Sequence, residues 1–252
     1  MSDYTPPADL LAERIILITG AGDGIGKAAA LACAAHGATV ILLGRTIPKL
    51  EAVYDAIVQA GHPQPAIYPM NLEGAKPKDY LDLAGTIEKE FGRLDGLLHN
   101  AAILGSMSPM AHQDVELWFK VMQVNLNAPF LLTRACLGLL MKSKDASVIF
   151  TSDKVGRSGR AYWGAYGVSK FGIEGMSQIL AQEMETNTPV RVNSIDPGAV
   201  RTRMRSVAYP GENSQANPLP ESIMPAYLYL LGADSRGVTG RQFSAQEFVL
   251  PT

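Results

Sequence analysis

What most constrains this chain is the repeated alternation of short apolar runs with longer helical segments. The runs are Arg14–Thr19, Thr39–Leu43, a weaker Gln64–Met70, Leu94–Leu98, Ala146–Thr151 and Val190–Ile195, with Gln242–Ala245 as the last. A strand with one face in water alternates apolar and polar residues. These runs are continuous, so both faces must be covered, as in a parallel sheet. The segments between them supply the cover. Lys27–His36 is alanine-rich, Pro48–Ala60 opens on a proline suited to a first helical turn, and Pro77–Phe91 stops at Gly92. Trp118–Val124 and Ala226–Gly232 read as further helices. Right-handed crossovers then predict an α/β fold, a doubly wound parallel sheet with helices on both faces. No shift of composition marks a boundary, so residues 1–252 are expected to form a single domain.

Composition narrows the function classes. With 47 % apolar residues, a 252-residue chain can bury one large core. A formal net charge of −2 offers no basic surface to nucleic acid or to an anionic membrane, so neither is an expected partner. Cys33 and Cys136 have no paired spacing and the four histidines no metal-ligand spacing, so reduced thiols in a cytoplasmic protein and no metal site are expected. The segment MSDYTPPADLLAER lacks the basic and apolar regions of a signal peptide. Arg134 interrupts the longest apolar stretch, Leu126–Met141, which makes it a poor membrane span.

The first chemical motif lies between the first strand and the first helix: Thr19-Gly20-Ala21-Gly22-Asp23-Gly24-Ile25-Gly26. Glycine lets the backbone turn sharply and approach a pyrophosphate, whose charge the following helix N-terminus favours. The second strand ends Leu42-Leu43-Gly44-Arg45-Thr46. About 20 residues beyond such glycines a carboxylate would bind a ribose 2′-hydroxyl, whereas an arginine suits a 2′-phosphate. Arg45 could meet that phosphate with two parallel hydrogen bonds and Thr46 with another, which selects NADP over NAD. Asp23 opposes this choice by placing negative charge in the glycine loop.

Further along, Tyr166 and Lys170 stand one helical turn apart in TSDKVGRSGRAYWGAYGVSKFG. A phenol near a fixed ammonium is a plausible proton donor, because the positive charge favours the phenolate. Alone, such a pair is more often a solvated helix face. Its company is Gly20, Gly24 and Gly26 spaced as Gly-x-x-x-Gly-x-Gly, Asn125 after an apolar run, and Asp196-Pro197-Gly198 downstream. Together, in this order, these features resemble the short-chain dehydrogenase/reductase family over almost the whole chain.

The resemblance implies a Rossmann-type sheet and a set of roles. Tyr166 would transfer a proton to the substrate oxygen, and Lys170 would steady both the tyrosine and the cofactor ribose. Asn125 would hold its helix kinked and anchor a water. Gly20, Gly24, Ile25 and Gly26, then Asn71, Leu72, Asn100 and Ala101, would line the cofactor. The segment Pro197, Gly198, Val200 and Thr202 would bind nicotinamide amide and diphosphate. The implied substrate is a small carbonyl or alcohol compound and the implied assembly a homo-oligomer, dimer or tetramer.

Four positions depart from that pattern. Counting back from Tyr166 puts Asp153 where the family carries a catalytic serine. Asn71 replaces an aspartate, and His99 and Ala102 replace an asparagine and a glycine; His99 reads as a packed strand-end residue. An ionised aspartate accepts hydrogen bonds and cannot donate them, and losing one such donor costs about 10²–10³ in rate. Asp153 could escape this by protonation in an apolar site, or by neutralisation from Lys154, Arg157 or Lys170. Residues 203–225, with several prolines among polar residues, have the composition of a substrate lid or of a plain surface loop. Met204, Tyr209, Tyr162, Trp163 and the Met107/Met110 loop suggest an apolar cleft. Two functions follow: an NADP-dependent oxidoreductase for carbonyl or alcohol substrates, or a catalytically impaired NADP-binding or interaction protein of the same fold.

Overall fold

The computed structural model describes residues 4–250, so the first three residues of the N-terminal segment lie outside it. Seven strands, β1 (Ile15–Thr19), β2 (Thr39–Gly44), β3 (Ala66–Pro69), β4 (Gly96–His99), β5 (Ala146–Thr151), β6 (Val190–Asp196) and β7 (Gln242–Ser244), form one sheet in the order β3-β2-β1-β4-β5-β6-β7. Every neighbouring pair is parallel. The runs of β1, β2, β4, β5 and β6 are largely buried as their pattern requires, whereas the edge strands β3 and β7 are partly exposed. Helices α1 (Gly24–Ala35), α2 (Ile47–Gln59) and α8 (Met224–Leu231) cover one face; α3 (Pro77–Phe91), α5 (Ala128–Met141) and α6 (Gly164–Glu185) cover the other.

Local chemistry sets the boundaries. Pro48 sits in the first turn of α2, and Gly92 ends α3 with a φ of 76° that favours glycine. Helix α4 (Val115–Met122) starts three residues before the sequence expectation, because the Asp114 side chain caps it by accepting from the Leu117 N–H at 2.6 Å. Between α4 and α5 lies a π-helical turn, Gln123–Asn127. Pro129 follows, and its missing N–H leaves the Asn125 carbonyl without the usual α-helical donor. The stretch Val115–Met141 is one helix long and apolar enough, by length and composition, to cross a membrane. Arg134 lies within it, and half of the stretch's apolar window is buried inside the fold, as in a core helix. Leu132, Cys136, Leu139 and Leu140 on this stretch are buried in the core. Both cysteines are free and buried, and burial pushes each thiol up to about 12.

The lower edge of the sheet is tied by a buried ionic cluster. Asp145, just before β5, accepts from Arg191 Nε of β6 at 2.9 Å and pairs with Arg14, which leads into β1. Arg191 also donates to the carbonyls of Leu230 and Gly232, satisfying the C-terminal end of α8. Burial pulls the Asp145 carboxyl upward, but Arg191 and Arg14 outweigh it and hold it below the ordinary carboxylate value. A carboxyl depressed in the fold stabilises fully above its unfolded pKa, about 4, and loses that contribution as pH falls through the folded value. Asp145→Ala strands a buried guanidinium and should cost about 3–5 kcal/mol at neutral pH. Urea denaturation of parent and variant checks this: the gap should narrow as pH drops below about 4, and equal midpoints at neutral pH would refute it.

Candidate active site

A parallel sheet sends the segment after every strand to one edge. Here the chain reverses direction across the sheet between β1 and β4, so the loops following these strands part and leave a crevice. The cleft along that edge has a volume of 510 Å³.

One end is built from the glycine loop. Gly20 and Gly24 have φ of 70° and 51°, and a Cβ on Gly20 would lie 3.1 Å from Ala101 Cα and from Asn100 Nδ2. Gly26 does not face the cleft. A Cβ there would lie 2.2 Å from the Gly20 carbonyl oxygen, so this glycine lets the loop fold back against its own helix. The Thr19 hydroxyl accepts from the Asn100 and Ala101 N–H groups at 2.9 and 3.0 Å, fixing the β4 loop beside the glycines. Ile25 lines the cleft at the start of α1, where helix N–H groups have no intrahelical acceptor.

Arg45 and Thr46, at the end of β2, border the same cleft, together with Lys49 from the first turn of α2. Sequence reasoning missed Lys49, although its place one turn after Thr46 was the available signal. Lys49 forms an ion pair with Asp23, which holds that carboxyl below its ordinary value. The Asp23 side chain also accepts from the Gly24 N–H at 2.8 Å, capping α1. The negative charge that opposed a phosphate is therefore already partnered. Asn71 and Leu72 lie along the next stretch of wall, where the Asn71 side chain accepts from the Glu73 N–H at 3.2 Å. Opposite them, Gln246 donates to the carbonyls of Pro197 and Ala199 and braces the segment carrying Gly198, Val200 and Thr202.

Asp153, Tyr166 and Lys170 meet at the inner end. Asp153, immediately beyond β5, accepts from the Val155 N–H through Oδ1 at 3.0 Å and from the Tyr166 hydroxyl through Oδ2 at 3.1 Å. Lys170 Nζ donates to the Thr151 carbonyl at 2.7 Å and lies 5.5 Å from the Tyr166 ring centre. The expectation that the ammonium would favour the phenolate is not met. Burial pushes the Tyr166 phenol well above its ordinary value, and the adjacent Asp153 pushes it further. Burial also draws Lys170 down to about 8, against the pull of Asp153, Asp196 and Glu174.

Among the described residues no cation forms an ion pair with Asp153, although Lys170 is near enough to interact with its charge. Arg157 pairs with Glu174 at 2.8 Å, and among the described residues neither Lys154 nor Lys170 forms an ion pair with Asp153. Asn125 is buried in the π-helical turn and does not line the cleft. Its side chain accepts from the Ile103 N–H at 2.8 Å and donates to the Ile103 carbonyl and the Ser169 hydroxyl. It thereby ties the loop after β4 to the helix bearing Tyr166 and Lys170.

His99 stacks on Phe150 with ring centres 4.8 Å apart, and its Nε2 lies 2.8 Å from the Thr133 hydroxyl oxygen. Burial pushes its pKa down to about 3, so it stays neutral and packed. Trp163, Met204, Tyr209 and Leu104 form the apolar wall near Tyr166. The exposed side chains of Tyr162, Met107 and Met110 fall outside that wall, correcting the sequence expectation.

A family model described as short chain dehydrogenase matches residues 14–213. The oxidoreductase YciK of Escherichia coli (strain K12) is 50 % identical over 243 residues, which span 96 % of each chain. A Pseudomonas syringae chain described as a short chain dehydrogenase superposes with a TM-score of 0.96 at 58 % identity, covering 97 % of this chain and 99 % of its own. A Shigella flexneri chain of the same description, complexed with NADP, superposes with a TM-score of 0.93 at 50 % identity, covering 95 % and 100 %. A parallel sheet with its glycine loop, Tyr166 and Lys170 on one cleft, and relatives matched over nearly their whole length, lead to one assignment: this chain belongs to the short-chain dehydrogenase/reductase family.

Proposed function

We propose that this chain is a cytoplasmic, NADP-dependent oxidoreductase that moves a hydride between the nicotinamide and a carbonyl or alcohol carbon. The observation that carries the reading is the buried Tyr166 hydroxyl at the floor of the cleft, with Lys170 one turn behind it. The cleft residues fit the cofactor. Gly20 and Gly24 leave backbone open where a side chain would intrude, and Arg45, Thr46 and Lys49 form a polar, basic corner at the end of β2. Asn71 and Leu72 would face the adenine, Asn100 and Ala101 the ribose side, and Pro197, Gly198, Val200 and Thr202 the nicotinamide end. When bound, the nicotinamide supplies or accepts the hydride.

The chain's own residues handle the proton. A phenol held protonated by burial and by Asp153 can deliver its proton to a nascent alkoxide, which suits reduction better than oxidation. We read Asp153 as standing where the family's serine would donate to the same oxygen. Its negative charge would oppose an alkoxide by about 4 kcal/mol at 4 Å and an effective dielectric near 20. Ketone turnover should accordingly be slow. Asn125 acts indirectly, by positioning. We place a substrate lid over residues 203–225, where α7 (Arg203–Ala208) brings Met204 to the cleft and the Arg205–Glu212 ion pair braces the loop. Phe119 and Phe130 on α4 and α5, and Phe171 and Ile179 on α6, are exposed apolar side chains suited to self-association as a homo-oligomer.

One observation favours a second reading. The Tyr166 hydroxyl is engaged by Asp153 rather than offered freely, as in a protein that binds NADP without turning substrate over.

Two measurements test these readings. Arg45→Asp should weaken NADPH binding at least about tenfold and shift preference toward NADH, since charge-assisted hydrogen bonds contribute about 1.5–3 kcal/mol. Fluorescence titration with both dinucleotides checks it, and equal affinities in the parent would contradict the role of Arg45. Tyr166→Phe keeps the ring and removes the donor. It should lower carbonyl reduction by about 10²–10⁴ while leaving NADPH affinity within a fewfold. Full turnover by that variant would exclude Tyr166 as the acid. NADPH binding by the parent, without reduction of any substrate in a broad panel, would favour the second reading.

A further inference from the structure

We propose that the acceptor this site favours is a protonated carbon–nitrogen double bond, a cyclic iminium, rather than a ketone. The inference rests on the hydride-transfer reading above and names the substrate class of the same site.

The argument starts from charge. Reduction of a ketone builds negative charge on oxygen beside Tyr166, and Asp153 lies against the Tyr166 hydroxyl at 3.1 Å. Of the other charged groups, the Lys170 ammonium is near enough to interact with Asp153 but forms no ion pair with it, and several more are engaged elsewhere. Lys170 donates to the Thr151 carbonyl, Arg157 pairs with Glu174, Arg205 pairs with Glu212, and Asp196 accepts from the Gly198 N–H. Among the described residues, Asp153 has no ion-pair partner; its two oxygens accept only from Val155 N–H and Tyr166. The feature that repels an alkoxide attracts a cation.

An iminium reverses the sign of the problem. The hydride pair leaves the reduced nicotinamide and forms the new C–H bond at the iminium carbon. The C=N π pair moves to nitrogen, which becomes a neutral amine, and the dinucleotide is left oxidised. No oxyanion forms, so the missing serine donor is not required. A neutral imine would first have to take its proton from solvent, because the single Tyr166 hydrogen is held by Asp153 and its loss would leave a phenolate beside that carboxylate.

The wall fits the same ligand. Trp163 is buried beside Tyr166 with ring centres 5.6 Å apart; Tyr209, 6.0 Å from Trp163, already carries the Arg205 guanidinium over its ring at 3.7 Å. The Trp163 ring near a carboxylate suits a flat, weakly hydrated organic cation. Because hydride transfer discharges that cation, Asp153 should help binding and kcat/KM more than kcat.

The test compares a fixed cation, N-methyl-dihydroisoquinolinium, with tetralone, a neutral ketone of similar shape. Each is assayed for NADPH oxidation with the parent, Asp153→Asn and Asp153→Ser; iminium binding is measured separately by tryptophan fluorescence with NADP⁺ present. The parent should show at least tenfold higher kcat/KM for the iminium, and both variants should narrow or invert that ratio. Iminium affinity should fall at least tenfold in Asp153→Asn. A parent that prefers tetralone, or an Asp153→Asn variant with unchanged ratio and affinity, overturns the proposal. If neither compound is reduced, the binding arm decides, and equal iminium affinity in parent and Asp153→Asn counts against it. Failure of the parent to bind NADPH would instead refute the hydride-transfer reading, so the two failures are distinct.

Discussion

The functional geometry depends on one constraint: all seven strands run the same way. Every strand therefore delivers its following loop to the same edge, and the reversal between β1 and β4 opens that edge into a cleft. Residues as far apart in sequence as Gly20, Arg45, Asn71, Asn100, Asp153 and Pro197 line one cleft because each comes just after a strand. The opposite edge does the structural work. There Asp145, Arg14 and Arg191 join three strands and the end of α8. Ions buried for stability and ions arranged for chemistry are thus separated by the length of a strand.

At the inner end of the cleft, a single carboxylate alters how familiar parts behave. Tyr166 and Lys170 keep the spacing of a proton-transfer pair, but burial and then Asp153, which draws the phenolic hydrogen, raise the tyrosine, while burial lowers the lysine. The tyrosine is biased toward holding its proton and the lysine toward losing one. A site of this kind is poorly suited to stabilising an oxyanion and better suited to meeting positive charge.

The sheet was legible because continuous apolar runs and proline or glycine boundaries are local signals; β5 matches its expected bounds and α3 ends at Gly92 as expected. The cleft residues were legible through their place after strands. Three things were not. The π-helical turn at Asn125 arises from tertiary packing and from Pro129 acting on the preceding turn, which helical periodicity does not reveal. The pairing of Lys49 with Asp23 joins two loops that only the fold brings together. The state of Tyr166 was misjudged because sequence spacing gave the Lys170 neighbour but neither the burial of the phenol nor its hydrogen bond to Asp153.

The hydrogen bond from Tyr166 to Asp153 is best tested by titrating that phenol directly. The ultraviolet difference spectrum between the parent and Tyr166→Phe, followed with pH, isolates the phenolate of this one residue. With Asp153 in place, no phenolate should appear up to about pH 10, the ordinary tyrosine value, and Asp153→Ser should bring the transition down. A phenolate forming near neutral pH in the parent would contradict the arrangement described here.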